Sequence, residues 1–361
     1  MPGFFVIASF LIVTSGCEKM ADSSLQANQS GASDLQAAGL TLGNFKQVNL
    51  NANTFGYHAP HISSNLHNAW GMAVGSSGGI WVSAADGGVS YIYNDKGAQL
   101  IPAVSIPAHV KGAAGNPTGQ VFNATTDFVI PGTGNPAKFI FGSEDGTISA
   151  WNGGTTAVVV IDRAKQGASY KGVTIANNGG ANFLYATDFT KHTVDVYDNN
   201  YNLVSGMPFS DPGIPAAFAP FNISAINGML YVTYAVVNGD GDDSDGVGLG
   251  YVDAYFPNGT LSKRIASQGT LNAPWGIAEA FPELIGMDAL LIGNFGDGHI
   301  NVYDWNGNFK GQLMNAGGPV AIDGLWAIDD DVLKTGRRQL YFTAGPNDEE
   351  DGLFGFITKL Q

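Results

Sequence analysis

Short apolar runs separated by polar, glycine-rich turns fill the chain from residue 45 onward, and they return in a fixed order. Each cycle opens with a run such as N-A-W-G-M-A-V (68–74), P-T-G-Q-V-F-N (117–123), K-G-V-T-I (171–175), A-P-F-N-I-S-A-I (219–226), A-P-W-G-I-A (273–278) or D-G-L-W-A-I (323–328). A second run follows: I-W-V-S at 80–83, F-I-F-G at 139–142, F-L-Y-A-T at 183–187, L-Y-V-T-Y at 230–234, L-L-I-G at 290–293 and L-Y-F-T at 340–343. After a polar loop comes a third run that alternates in character, as in H-T-V-D-V-Y and G-Y-V-D-A-Y. Runs this short, rich in aromatic and β-branched residues, predict strands rather than helices. Turns such as N-D-K-G, N-G-G and P-N-G then supply the positive φ that hairpins need. A fourth run closes the cycle, as F-K-G-Q-L does at 309–313.

Cycles of about 50 residues, each a four-stranded meander, predict an all-β fold, a six-bladed β-propeller. The sixth cycle has its third run near 353–359 and no room for a fourth before Gln361. The otherwise unpaired run F-K-Q-V-N-L at 45–50 is expected to supply it, closing the ring and removing a sheet edge. An array of β-sandwiches is the competing architecture, but it predicts no missing strand.

Composition narrows the function. The formal net charge is −15. Such a surface repels phosphate backbones and anionic lipid, so binding to nucleic acid by charge is not expected. It is compatible with divalent cations. No nucleophile elbow, P-loop or dinucleotide fingerprint is present. The single cysteine, Cys17, excludes an internal disulfide, a cysteine-rich zinc site and a C-x-x-C redox pair. It follows an apolar run too short to span a membrane and suited to a signal peptide. The expected organisation is a leader at 1–16 with Cys17 lipidated, a flexible tether at 17–44, and the propeller at 45–361. The leader resembles that of bacterial lipoproteins, though Thr14 stands where Leu is usual and no Lys or Arg precedes the run. An ordinary cleaved leader is the alternative. Either route predicts export: to the outer membrane or cell surface if lipidated, to the periplasm or medium if not.

The phrases N-L-H-N-A-W-G (65–71), S-E-D-G-T-I-S-A-W (143–151), T-D-F-T-K-H-T-V-D-V-Y-D (187–198), F-A-P-F-N-I (218–223), A-P-W-G-I-A (273–278), G-N-F-G-D-G-H-I-N-V-Y-D (293–304) and I-D-G-L-W-A-I (322–328) occur along the chain. Together they resemble an uncharacterised family of exported bacterial β-propellers, some members of which carry a PEP-CTERM-type sorting segment. In that family's opening phrase His61, Asn68, Trp70 and Gly71 match, whereas Ser63, Ser64 and His67 depart from it. The family brings no established activity. More distantly the units are similar to NHL repeats and to propellers of the SMP-30/gluconolactonase type. That similarity implies a divalent metal at the channel mouth, for which Asn222, Asp323 and Asn294 are the best-placed ligands and Asp188 the next.

Topology selects a face. In an up-and-down blade, the loop leading into the first strand and the loop between the second and third lie on the same side. The first kind brings His58, His61, His67, Asn68, Asn222 and Asp323; the second brings Glu144, Asp188, 240–245, Asn294 and 347–351. The expected ligand-binding set on this loop face is His58, His61, Asn68, Asp188, Asn222, Asn294 and Asp323. Within N-G-D-G-D-D-S-D-G (238–246), Asp240, Asp242, Asp243 and Asp245 crowd carboxylates into a glycine-rich turn, as Ca²⁺ prefers. The glycine comes one residue late for an EF-hand loop and Tyr251 stands where its Glu would be, so a solvated acidic loop is the alternative. The histidines could hold Zn²⁺ or Cu²⁺, line a ligand lip, or only brace the loop. Trp70, Trp275 and Trp326 recur at blade starts and are expected to pack between blades, with sugar stacking in the channel as the alternative. The preferred function is a surface-tethered, monomeric binding module with structural calcium, its partner a small molecule, glycan or protein. The alternative is a metal-dependent hydrolase of lactonase or esterase type.

Overall fold

The computed structural model describes residues 40–330 and 338–360, together with Met1 and Gly3. Apart from Met1 and Gly3, the leader at 1–16 lies outside the described residues, as do Cys17 and most of the expected tether. Six antiparallel four-stranded sheets form a six-bladed β-propeller. From axis to rim, blade 1 holds Ala69–Val74, Ile80–Ala84, Val89–Tyr93 and Gln99–Ser105. Blade 2 holds Pro117–Phe122, Phe139–Ser143, Thr147–Trp151 and Val158–Asp162. Blade 3 holds Tyr170–Asn178, Ala181–Asp188, Thr193–Tyr197 and Leu203–Val204. Blade 4 holds Phe218–Ile226, Met229–Val237, Tyr251–Tyr255 and Leu261–Ser267, with the short strand Asp243–Ser244 beside its second strand. Blade 5 holds Pro274–Ala280, Ala289–Asn294, Ile300–Tyr303 and Phe309–Gln312. Blade 6 holds Leu325–Asp329, Gln339–Ala344 and Leu353–Lys359, and its outer strand is Phe45–Ala52 from the other end of the chain. The expected ring closure is therefore present, with Phe45 opposite Lys359 and Ala52 opposite Leu353.

Apolar side chains alternate between the two faces of each sheet and pack against the neighbouring blades. Between blades 1 and 2 this builds the cluster of Trp81, Ile92, Phe139, Phe141 and Trp151. Between blades 6 and 1 it joins Leu50, Ile80, Val82, Tyr93, Tyr341 and Phe354. A separate cluster, containing Trp70, Phe189, Phe221, Trp275 and Trp326, occupies the axis itself. The tryptophans thus pack on one another at the centre of the ring rather than between blades, because of what happens at the start of each inner strand.

Every inner strand slips its register there, between Ala69 and Met72, Pro117 and Gln120, Tyr170 and Gly172, Pro220 and Asn222, Pro274 and Gly276, and Leu325 and Ile328. A bulge re-aims the side chain that it carries. The slipped stretches hold Trp70, Thr118, Lys171, Phe221, Trp275 and Trp326. Neighbouring inner strands meet closely at the next residue. A Cβ on Gly71 would stand 2.3 Å from the Thr118 carbonyl oxygen, and one on Gly172 would stand 2.3 Å from Asn222 Oδ1. Bulging leaves backbone groups unpaired, and buried hydroxyls satisfy them. Thr343 Oγ donates to the Trp70 carbonyl and accepts from Ala327 N–H at 3.0 Å. Thr187 Oγ donates to the Phe221 carbonyl at 3.1 Å.

Candidate functional site

The axial cluster is a plug. Trp70 and Trp326 stack with ring centroids 3.7 Å apart, and Phe295 stacks on Trp326 at 4.0 Å. Trp275 meets both tryptophans edge-on, at 6.4 and 6.0 Å. In the same slot blade 3 presents Lys171, whose side chain is only 2% exposed. Its ammonium lies 4.8 Å from the Trp70 ring centroid and 5.8 Å from that of Phe189. A buried ammonium needs carboxylate partners, and loops from two other blades deliver them. Asp242 of blade 4 accepts from Lys171 Nζ at 2.9 Å, and Glu144 of blade 2 also accepts from it.

Blade 6 adds Glu349. Its carboxylate accepts from Asn68 Nδ2 in the loop that leads into blade 1, while Asn68 Oδ1 accepts from the Trp326 indole N–H at 2.7 Å. Glu349 ends a run of three left-handed residues, with φ of 59° at Asn347, 50° at Asp348 and 66° at Glu349. Such a backbone costs L-residues of order 1–2 kcal/mol each and persists only where the surroundings over-determine it. The restraints are visible. Asp323 Oδ2 accepts from Asn347 N–H at 3.1 Å. Asp351 accepts from Asn53 Nδ2 at 2.7 Å and from Tyr57 Oη at 2.8 Å.

Charge at the mouth is unbalanced, with several carboxyls around one ammonium. Burial, then repulsion from Asp242 and Glu144, pushes Glu349 up to about 7, against the pull of Lys171 and Asn68. Burial likewise lifts Asp243 to about 7; Lys171 opposes this, and Asp242 and Glu349 add to it. Burial alone would lower Lys171, but Glu144 and Asp242 outweigh it and hold the ammonium above its ordinary range. Asp86, beside Asn116 and His67, is raised by burial. The arrangement can therefore accept hydrogen bonds from a ligand and exchange protons near neutrality.

The residues expected from the sequence divide. Asn68 and Asp323 are at the mouth, both as supports of Glu349. Asp242 and Asp243 belong to the cluster, whereas Asp240 and Asp245 face solvent. Among the described residues no group of three or more His, Cys, Asp or Glu is placed to hold a metal ion. His58 caps a short turn in the left-handed region and is exposed. His61 pairs with Asn51 at the outer edge of blade 6. His67 Nδ1 is 2.7 Å from the Glu350 carbonyl, nearer the mouth than either. Asn222 bridges inner strands by donating to the Trp275 carbonyl at 2.8 Å. Asn294 braces blade 5 by donating to the Thr270 carbonyl at 2.8 Å and to Asp297 at 3.0 Å. Asp188 is 1% exposed and accepts from the N–H groups of Ser169 and Lys191. Lys171 was not singled out from the sequence, although a lone lysine in a slot otherwise held by Trp, Phe and Thr was its signal.

No known family model matches the chain. Two proteins of Acanthamoeba polyphaga mimivirus match along most of its length. Uncharacterized protein R648 is 33% identical over 321 residues, covering 84% of this chain and 78% of that protein. Uncharacterized protein L690 is 32% identical over 324 residues, covering 84% and 83%. The chain belongs to the family of these two proteins. Among solved structures, a streptogramin B lyase superposes with a TM-score of 0.52 at 12% identity, covering 88% of this chain and 98% of that one. The soluble aldose sugar dehydrogenase of Escherichia coli gives 0.52 at 12% identity, covering 88% and 100%. At this identity they share the propeller fold with the chain.

Proposed function

We propose that the chain is a ligand-binding propeller whose loop-face mouth receives a small molecule that donates hydrogen bonds, an amine or a hydroxyl-rich compound. The observation that carries this reading is Lys171, buried over Trp70 and shared by carboxylates from two other blades. Glu349 and Asp243 add acceptor capacity on the same side, and an aromatic floor suits the apolar face of such a ligand. Lys171 supplies at this mouth the positive charge that the SMP-30 resemblance assigns to a metal. Calcium at 238–246 has the weaker case, since Asp242 is committed to Lys171. The test is calorimetric titration with a panel of amines and polyols, using wild type, Glu349→Gln and Glu144→Gln. Equal affinity of all three proteins for the ligand found would rule the mouth out.

A second reading, an acid–base enzyme, is favoured by one observation. Glu349 and Asp243 both titrate near neutrality beside an ammonium, as a general acid and base must. The solved propellers of like fold include a lyase and a dehydrogenase. Turnover abolished in Glu349→Gln, far beyond what its weaker binding accounts for, would select this reading. The leader and Cys17 support export with a lipid anchor; labelled fatty acid incorporated by wild type and not by Cys17→Ser tests that part.

A further inference from the structure

The cluster around Lys171 is rich in acceptors and short of donors. Lys171 Nζ donates to Asp242 at 2.9 Å and to Glu144, and it lies over the Trp70 ring. Asn68 Nδ2 donates to Glu349. Both side-chain donors of the cluster are thereby engaged, whereas carboxyls arrive from blades 2, 4 and 6. One of these carboxyls is left over. Asp243 lies deep in the mouth, within electrostatic reach of Lys171, Asp242 and Glu349, and keeps part of its surface open to a ligand. Among the described residues, no other residue donates a hydrogen bond to its carboxyl. We propose, resting on the reading of the mouth given above, that its ligand is a primary ammonium and that Asp243 is the carboxylate that receives it.

The balance of donors and acceptors separates this ligand from a polyol. An ammonium brings donors alone. Every hydroxyl of a polyol brings lone pairs as well as a proton, and neither Lys171 nor Asn68 is free to meet them. A quaternary ammonium carries the charge but no N–H, and it needs an aromatic face. Lys171 already covers the faces it would use, 4.8 Å from the Trp70 centroid and 5.8 Å from that of Phe189. A carboxylate buried without a counter-ion is costly, so the excess of negative charge favours a cation over a neutral molecule. The loop holds Asp243 ready. Asn238 Oδ1 accepts from the N–H groups of Asp240 and Asp242, at 2.9 and 3.0 Å, and Asn238 Nδ2 donates to the Asp243 carbonyl at 3.2 Å. Asp243 itself pairs with Val237, the last residue of blade 4's second strand, which packs on the plug. A preformed acceptor spares the ligand most of the ordering cost. The channel has another acidic place. Beneath the plug, on the opposite face, a cavity of about 410 Å³ opens among the far ends of the inner strands, and Glu279, Asp329 and Asp330 are among its lining residues. An amine bound there would not sense Asp243, so the two locations are separable.

The probes are ethylamine and propylamine, titrated calorimetrically against the full chain, with tetramethylammonium, glucose and calcium chloride alongside. Asp243→Asn keeps the shape of the side chain and removes its charge, and Asp240→Asn removes the same charge from the solvent side of the loop. Saturable binding of a primary amine is expected, weakened about tenfold by Asp243→Asn and unchanged in Asp240→Asn. Tetramethylammonium and glucose are expected not to bind. The proposal is overturned if neither amine binds wild type, if tetramethylammonium binds as tightly as the amines, if calcium binds in their place, or if Asp243→Asn binds amine as wild type does, which would move the ligand to the lower cavity. Glucose binding that Glu349→Gln weakens would overturn it and leave the mouth reading standing. Amine binding that is equal in wild type, Glu349→Gln and Glu144→Gln would remove the mouth reading itself. Circular dichroism matching wild type shows that each variant is folded, and the comparison of probes on wild type needs no variant.

Discussion

Glu349 and Asp243 make the loop-face mouth sensitive to pH, and the sign follows from their shifts. Both carboxyls have folded-state values near 7, against ordinary values of 4.5 and 3.8. The folded protein therefore holds extra protons between those limits, so their stabilising contribution is complete at low pH and is lost as pH rises through 7. The melting temperature is expected to fall between pH 5 and pH 8, and a Glu349→Gln/Asp243→Asn variant should fall less. An unchanged slope in that variant would show that these groups are not responsible. Lys171→Met acts in the opposite sense. It leaves Glu144 and Asp242 facing the other carboxyls without their ammonium. The carboxylates left behind are part-exposed and screened by solvent, so a loss of about 1 kcal/mol is expected in chemical denaturation at pH 7 and a smaller one at pH 5.

At the scale of elements, the bulged inner strand is the device that makes a site out of repeats. Thr343 satisfies two backbone groups that the bulge leaves open, and Thr343→Val strands both in the interior. The expected loss is about 2–3 kcal/mol by denaturant titration. Gly71→Ala would press a methyl group on the Thr118 carbonyl, and a cost of about 3 kcal/mol is expected from overpacking. The strands themselves were legible in the sequence, because alternation and turn residues act over a few neighbours. I-W-V-S, F-L-Y-A-T and L-Y-V-T-Y all stand where such patterns place second strands. The bulges were not legible, since a register slip depends on a partner strand. That is why Trp70 and Trp326 lie on the axis rather than between blades. Asn68 and the acidic loops could be assigned to a face from topology alone. Which of them would meet Lys171 depends on loop conformations, including the three left-handed residues at 347–349, that D-E-E-D does not announce.

The whole molecule depends on one strand from the far end of the chain. Phe45–Ala52 completes blade 6, and the residues just beyond it, Asn53 and Tyr57, tie down Asp351 and with it the Glu349 turn. Removing residues 40–52 should expose the edge of Leu353–Lys359 and leave part of the blade 6 core uncovered. Size-exclusion chromatography is expected to show aggregation, and a soluble, cooperatively melting product would contradict this. The ring closure was predictable from counting strands: the sixth cycle lacked one and the segment at 45–50 had no partner.

That closure also gives the propeller a polarity. Phe45 lies opposite Lys359, Leu360 N–H donates to the Asn44 carbonyl at 2.8 Å, and Thr41 N–H donates at 2.9 Å to the carbonyl of Ile285, between the first two strands of blade 5. Both ends of the ring therefore leave on the side where the channel cavity opens. Whatever is attached there, whether an affinity tag, a fused domain or a solid support, stands beneath the molecule. A propeller immobilised close to Leu360 keeps Lys171 and Glu349 turned to the solution and the far end of the channel turned to the support, so the orientation of a biosensor chip decides which of the two is assayed.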